Sequence, residues 1–199
     1  MSEKPYYEED RFQTSQETRQ SRRQRKSKKG GGVVEFLVIL LVSFALVFGF
    51  VRPFVVEAFF IPSESMVPTL RVGDRVLVNK FIYRFTEPER GDIIVFESVE
   101  GGDDDLIKRV VGVPGDEISV RGGKLAVNGE PQKERFLNRK YPDRSFAAPT
   151  TVPEGHVFVM GDNRANSRDS RFFGPVPKKK IEGEAFLLFW PPDRIGSLL

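Results

Sequence analysis

The sequence predicts a mainly β protein: an antiparallel β-sheet domain behind one N-terminal transmembrane helix. Three observations carry that expectation. One apolar segment, residues 33–51, is 19 residues long. Beyond Pro53 the chain breaks into short β-like runs punctuated by Gly, Pro and Asp. No long amphipathic helix pattern competes with those runs.

Residues 1–32 carry nine Lys/Arg and five Asp/Glu, a net +4, and end in Gly30-Gly31-Gly32. Such polar composition reads as a disordered basic cytoplasmic tail with a short hinge. Residues 33–52 read as the transmembrane anchor. No charge interrupts Phe36 to Val51, and Glu35 is the single acid near the start. As a helix, 19 residues reach roughly 28 Å, against a hydrocarbon core of about 30 Å. Arg19, Arg22, Arg23, Arg25, Lys26, Lys28 and Lys29 precede it, and only Arg52 follows closely. The positive-inside rule then puts the N-terminus in the cytoplasm and the rest outside. A nucleic-acid tail is the competing reading of the basic run. A cleaved signal peptide is the competing reading of the apolar one, with Val56-Glu57-Ala58 a loose small-x-small site. The long tail and long apolar run favour an uncleaved anchor.

Residues 53–199 read as the extracytoplasmic domain. Its β-like runs are 54–61, 75–79, 92–97, 106–113, 118–121, 124–127, 156–160 and 184–190. Gly122-Gly123 and Asn128-Gly129 are hairpin-type turns. Gly101 to Asp105 reads as a loop tip, and residues 130–155 as a longer irregular connection. Phe54, Phe59 and Phe60 are either core strand residues or a patch that dips into lipid beside the anchor.

Composition excludes several chemistries. The chain has no Cys, so no disulfide, thiolate metal site or Cys nucleophile is available. A single His makes a metalloenzyme improbable and leaves His156 as the only histidine base. A lone histidine in a strand is more often a packing residue. Outside the tail the chain carries a net −1, without the basic face that a nucleic-acid-binding body needs.

One segment stands out: Ile61-Pro62-Ser63-Glu64-Ser65-Met66-Val67-Pro68-Thr69-Leu70. Its prolines fix φ and favour extended neighbours, so a serine hydroxyl is held at one angle. By itself this is also what a polar turn looks like. In 106–113, strand alternation puts Leu106, Lys108 and Val110 on one face and Ile107, Arg109 and Val111 on the other. An ammonium among apolar neighbours loses solvation, which lowers its pKa. By itself the pattern favours a solvated Lys108 with Arg109 as the buried partner. Similarly, the 160–176 segment could be turn chemistry with surface ion pairs.

IPSESMVPTL resembles the serine box of bacterial type I signal peptidases. GDRVLVNKF (73–81), RGDIIVF (90–96) with IKRVVGVPGD (107–116), and MGDNRANSRDSRFFGPV (160–176) resemble the later boxes, in the same order. The resemblance covers most of residues 33–190. It implies Ser65 as nucleophile and Lys108 as general base. It implies an oxyanion hole from the Ser63 hydroxyl and the Ser65 backbone N–H. Ser167 would orient the Lys108 amine. Asp169 and Arg171 would support the site as an ion pair, with Asp162 in the same box and Met66 lining the site. Ala165 stands where many members have aspartate, Glu64 where some have a small residue, and Phe173 where others have Trp. Only 44 residues run from Glu117 to Met160, which leaves no room for the large extra domain of longer members.

The activity so implied is signal-peptide removal from secretory preproteins at the bacterial cytoplasmic membrane, after a small-x-small motif, through an acyl-enzyme. Preproteins and membrane lipid are the expected partners, with no nucleic acid, metal or cofactor. A self-cleaving serine–lysine protease and a non-catalytic anchored binding protein are the alternatives. The outward orientation argues against the first, and the presence of both Ser65 and Lys108 against the second.

Overall fold

The computed structural model describes residues 32–51, 55–102, 104–137 and 143–199. The basic tail, Arg52 and Phe54 lie outside them. The described chain falls into two units that divide between residues 51 and 52.

The first unit is a helix, α1, over residues 32–46, continued by a π-helical turn at Val47–Val51. Its span Gly32–Gly49 is long and apolar enough to cross a membrane, and none of it is buried within the protein. Val, Leu, Ile and Phe cover it on all sides, as a lipid-facing helix requires.

The second unit is built from antiparallel strands. They are β1 (Val56–Phe60), β2 (Arg75–Asn79), β3 (Ile93–Glu97), β4 (Asp105–Gly112), β5 (Glu117–Arg121), β6 (Lys124–Val127), β7 (Glu130–Pro131), β8 (Phe146–Thr151), β9 (His156–Met160), β10 (Val176–Pro177), β11 (Ile181–Trp190) and β12 (Gly196–Ser197). The large sheet runs β1-β2-β11-β3-β4-β9-β10, with β12 against β11. The small sheet runs β7-β6-β5-β8. One four-residue helix, α2 (Ser170–Phe173), follows β9.

Alternation explains which strands read clearly. In β2, Val76 and Val78 point into one core, with Ile61, Met66, Leu70, Ile93, Val95 and Ile107. The continuous runs in β3 and β9 are buried on both faces. Ile93 and Val95 serve the first core, while Ile94 and Phe96 join Val110, Val157, Val159 and Val176 in another. Phe158 and Met160 turn the other way, toward the small sheet's Ile118, Val120, Leu125 and Val127. Burying a side chain such as Phe96 contributes roughly 2–3 kcal/mol.

Two expectations need correction. The connection 130–155 is not irregular throughout: Phe146–Thr151 is β8, paired with β5, and Glu130–Pro131 is β7, paired with β6. Pro149 and the alanines hide β8 in the sequence. The strand tolerates proline because it is a sheet edge, where a missing N–H breaks no second ladder. The loop tip also ends earlier, since Asp105 already pairs with Glu97. Both double-residue turns adopt positive φ at both positions, 55° and 76° at Gly122-Gly123 and 53° and 80° at Asn128-Gly129. That is the twist a tight hairpin needs.

Among the described residues, two of the open backbone edges belong to β1 and to the first half of β4. β1 pairs only with β2. On the β9 side, β4 is paired only over Arg109–Gly112 and not over residues 105–108. Val56-Glu57-Ala58 is the paired body of β1, so a cut after Ala58 would sever an edge strand held over five residue pairs.

Candidate active site

Ser65 lies in the turn segment that β1 feeds. Ile61 N–H donates to Asp74 O, and Gly73 N–H to Ile61 O, which ties this segment to the start of β2. Met66 and Leu70 are wholly buried in the first core and anchor the turn from below. Met66 thus sits beside Ser65 as a core residue.

Lys108 comes from the middle of β4, opposite Ile94 of β3. Alternation holds here: Leu106 and Val110 pack in one core, Ile107 and Val111 in the other two. Lys108 is 3% exposed and Ser65 8%. The Lys108 amine donates to Ser65 Oγ at 2.8 Å and to Ile107 O at 2.9 Å. Ser63 Oγ is 3.3 Å from Ser65 Oγ. Burial pushes the Lys108 amine down to about 8, against the opposing pull of Asp169 and Asp162. No carboxylate bonds this amine among the described residues, so desolvation outweighs attraction.

The 160–176 segment packs around that pair. Asp162 is buried and accepts from Arg109 Nε and Nη2 at 2.9 and 2.8 Å, and from Thr69 Oγ1 at 2.5 Å. Arg109 is therefore the paired neighbour of an unpaired Lys108. Asp169 caps α2 and binds Arg171 Nε at 2.8 Å and Nη2 at 2.9 Å. It also accepts from Gly161 N–H at 3.0 Å.

Ser167 departs from expectation. Its hydroxyl donates to Asp169 Oδ2 at 2.8 Å, and the bonds of the Lys108 amine are those to Ser65 and Ile107. The carboxylate is the stronger acceptor for a neutral hydroxyl. Ser167 still closes the site: a Cβ on Gly161 would lie 2.3 Å from Ser167 Oγ and 2.5 Å from Ser65 O.

The sequence reading passed over several residues. Asn163 N–H donates to Ser65 O at 2.9 Å, and its side chain donates to Glu64 O at 3.1 Å. Asn163, Gly161 and Thr69 lie inside the quoted boxes, yet their types signal only turns. Ala165 is exposed on a 3-10 turn, and Glu64 Oε2 accepts from Asn166 at 3.3 Å. Phe173 packs edge-on against Phe96 at 6.3 Å. His156 is elsewhere in bonding terms, with Nδ1 2.9 Å from Glu154 O. Among the described residues no cluster of three His, Cys, Asp or Glu could hold a metal.

The class so far is a β domain with a buried serine–lysine contact in a chain that also carries an apolar N-terminal helix. Comparison with known proteins gives the family. The family profile described as "Signal peptidase, peptidase S26" matches residues 33–190. A signal peptidase I of Leptolyngbya laminosa is 46% identical over 155 residues, 74% of this chain and 75% of the relative. A signal peptidase IB of Staphylococcus aureus is 35% identical over 175 residues, 80% of this chain and 90% of the relative. The crystal structure of an Enterococcus faecalis signal peptidase I is 32% identical, with a TM-score of 0.42 over 50% of this chain and 97% of that one. The chain belongs to the type I signal peptidase family, and so to the peptidases.

Proposed function

We propose that this protein is a membrane-anchored serine endopeptidase that cleaves signal peptides from exported preproteins after a small-x-small motif. The 2.8 Å contact between the buried Lys108 amine and Ser65 Oγ carries this reading. The base must be a free amine. With its midpoint at about 8, half of the Lys108 population is neutral at that pH. An unperturbed lysine would be about 0.3% neutral there.

In the proposed reaction Lys108 takes the Ser65 proton as Oγ attacks the scissile carbonyl. The C–N bond then breaks and the ammonium gives its proton to the leaving amine. Water, deprotonated by the same amine, hydrolyses the acyl-enzyme. The Ser63 hydroxyl and Ser65 backbone N–H would bear the oxyanion. Asp169 and Asp162 would steady the transient ammonium without neutralising it beforehand. Ser167, Asp169 and Arg171 would shape the wall behind the amine.

The substrate would lie extended along the open backbone of residues 105–108, adding a strand beside Lys108. The free edge of β1 offers a second rail leading into Ser65. Phe59 packs on the first core, but Phe60 is exposed. Phe60 and Trp190 both register with Arg75, so they line the same end of the sheet. With exposed Ile195 and Leu199 they would supply the lipid contact. The basic flank orients Ser65 to the extracytoplasmic side of the cytoplasmic membrane.

The test is preprotein cleavage by the purified full chain, mapped by N-terminal sequencing. Cleavage immediately after a small-x-small motif, lost in Ser65→Ala, is expected. Undiminished cleavage by Ser65→Ala would overturn the reading.

A further inference from the structure

The connection between β7 and β8 reaches the site through two buried ion pairs whose carboxylates, Glu134 and Asp143, lie outside the sequence boxes. Arg171 Nη1 donates to Asp143 Oδ2 at 3.1 Å and to Ser145 Oγ at 2.7 Å. Arg164 is gripped by Glu134 through both terminal nitrogens. All four charged side chains are at most 9% exposed. Surface pairs contribute little, but a buried pair that loses one partner leaves an uncompensated charge.

Each pair holds one side of the same residue. Arg164 Nε donates to Gly161 O at 2.9 Å. Arg171 binds Asp169, and Asp169 accepts the Gly161 N–H. Gly161 is therefore clamped at both its carbonyl and its amide, with no space for a Cβ between Ser167 Oγ and Ser65 O. Asp143 is itself fixed. Its carboxylate accepts from Ser145 N–H and Oγ at 2.8 Å each. Gly123 N–H, in the β5–β6 turn, donates to Ser145 O at 3.1 Å. Gly123 has φ +76° and a Cβ there would lie 2.2 Å from Asp143 O. A continuous chain of contacts thus runs from the β5–β6 turn to the wall behind Ser65.

We infer that Glu134, Asp143 and Ser145 are positioning residues for the Ser65–Lys108 pair, acting through Arg164 and Arg171 on Gly161 and Asp169. The β7–β8 connection, tied to the small sheet through Gly123, is then a buttress of the site. The inference rests on the proposed roles of Ser65 and Lys108. Its physical basis is that a shift on the order of 1 Å in a reacting group costs about 100-fold in rate.

The experiment uses the full chain in detergent with a preprotein substrate. It compares Glu134→Ala, Glu134→Gln, Asp143→Ala and Asp143→Asn with Glu100→Ala, which breaks only the exposed pair with Arg168. Two measurements are made: steady-state kinetics, giving kcat and KM, and the titration midpoint of Lys108 by NMR of carbon-13 lysine. The Ala variants should lose about tenfold or more in kcat with KM within about twofold. The amide variants, which keep an acceptor oxygen, should recover part of that loss. Asp143→Asn removes an anion from beside Arg171, so the Lys108 midpoint should move down. Glu100→Ala should match wild type in both. Unchanged kcat and unchanged midpoint in Asp143→Asn and Glu134→Gln would overturn the inference, and these two keep the test readable if the Ala variants do not fold. Failure of wild type to cleave the preprotein would instead sink the proposed function, and the Lys108 midpoint would still decide the positioning role.

Discussion

The interior of the large sheet around Lys108 and its rim around Lys80 hold the same side chain under opposite conditions. At the rim, Lys80 reaches Glu57 at 2.8 Å and Glu182 at 3.0 Å. Those two carboxylates raise its pKa, and its partial burial only opposes them. In the interior, Lys108 meets a hydroxyl and a carbonyl and is pushed down to about 8. The difference lies in the partners. An anion in contact makes a lysine a permanent cation, whereas burial with neutral acceptors makes it a usable base. The arginines sharpen the point. Arg109, next to Lys108 in sequence, takes the Asp162 carboxylate with both Nε and Nη2. That pairing keeps the Asp162 carboxylate directed at a guanidinium.

The largest effect should come from breaking the interior pair. Ser65→Ala and Lys108→Ala should each lower kcat by about 10⁴-fold or more, comparable to removing a member of a catalytic unit elsewhere. Lys108→Arg should be as inactive as Lys108→Ala, since guanidinium stays charged. In wild type, turnover should climb with pH through the Lys108 midpoint of about 8 and fall on the acid side. Asp169→Asn should move that limb to lower pH, because Asp169 is the larger of the two charges holding the amine protonated. A pH–rate profile of each variant on a peptide substrate checks all of these. His156→Ala should behave as wild type.

Next comes Gly161→Ala. Its methyl would sit 2.5 Å from Ser65 O and 2.3 Å from Ser167 Oγ. About 100-fold should be lost from kcat, with far smaller change in KM.

The interior pair should also cost stability. Lys108 has a folded pKa below its ordinary value, so the unfolded chain binds more protons between pH 8 and 10.5. Stability from this group is therefore lowest below about 8 and recovers as pH rises. Lys108→Met should stabilise the fold by about 3 kcal/mol at pH 7, an advantage that fades by pH 10.5. Urea unfolding at the two pH values measures it.

The smallest effect belongs to the rim, and its sign is reversed. Lys80 is raised, so its contribution is complete below its ordinary value and is lost as pH climbs through the folded one. Lys80→Met should destabilise by less than about 1 kcal/mol at pH 7, since the pair is partly solvated. A stabilised Lys80→Met would break the comparison outright.

Much of this protein was legible in order of residues alone. The span 33–51 declares itself by its length and by holding a single charge, Glu35. Strands β2, β6 and β9 begin and end where the apolar runs do, because bounding Gly, Pro and Asp stop a ladder. Strand β8 did not announce itself, since an edge strand needs neither alternation nor freedom from proline. The box resemblance could name Ser65 and Lys108. The residues alone favoured Arg109 over Lys108 as the buried cation.

What the sequence determined by itself is therefore local: an apolar helix, antiparallel strands with tight hairpins, and a proline-framed serine turn. The tertiary structure alone decided which cation meets which partner. Ser65 and Lys108 are 43 positions apart, Thr69 and Asp162 93, Arg164 and Glu134 30. Periodicity reports only neighbours a few residues away, because it encodes the face of one element. Whether an amine 2.8 Å from a hydroxyl also touches a carboxylate depends on how segments distant in sequence are brought together, and that sets its pKa.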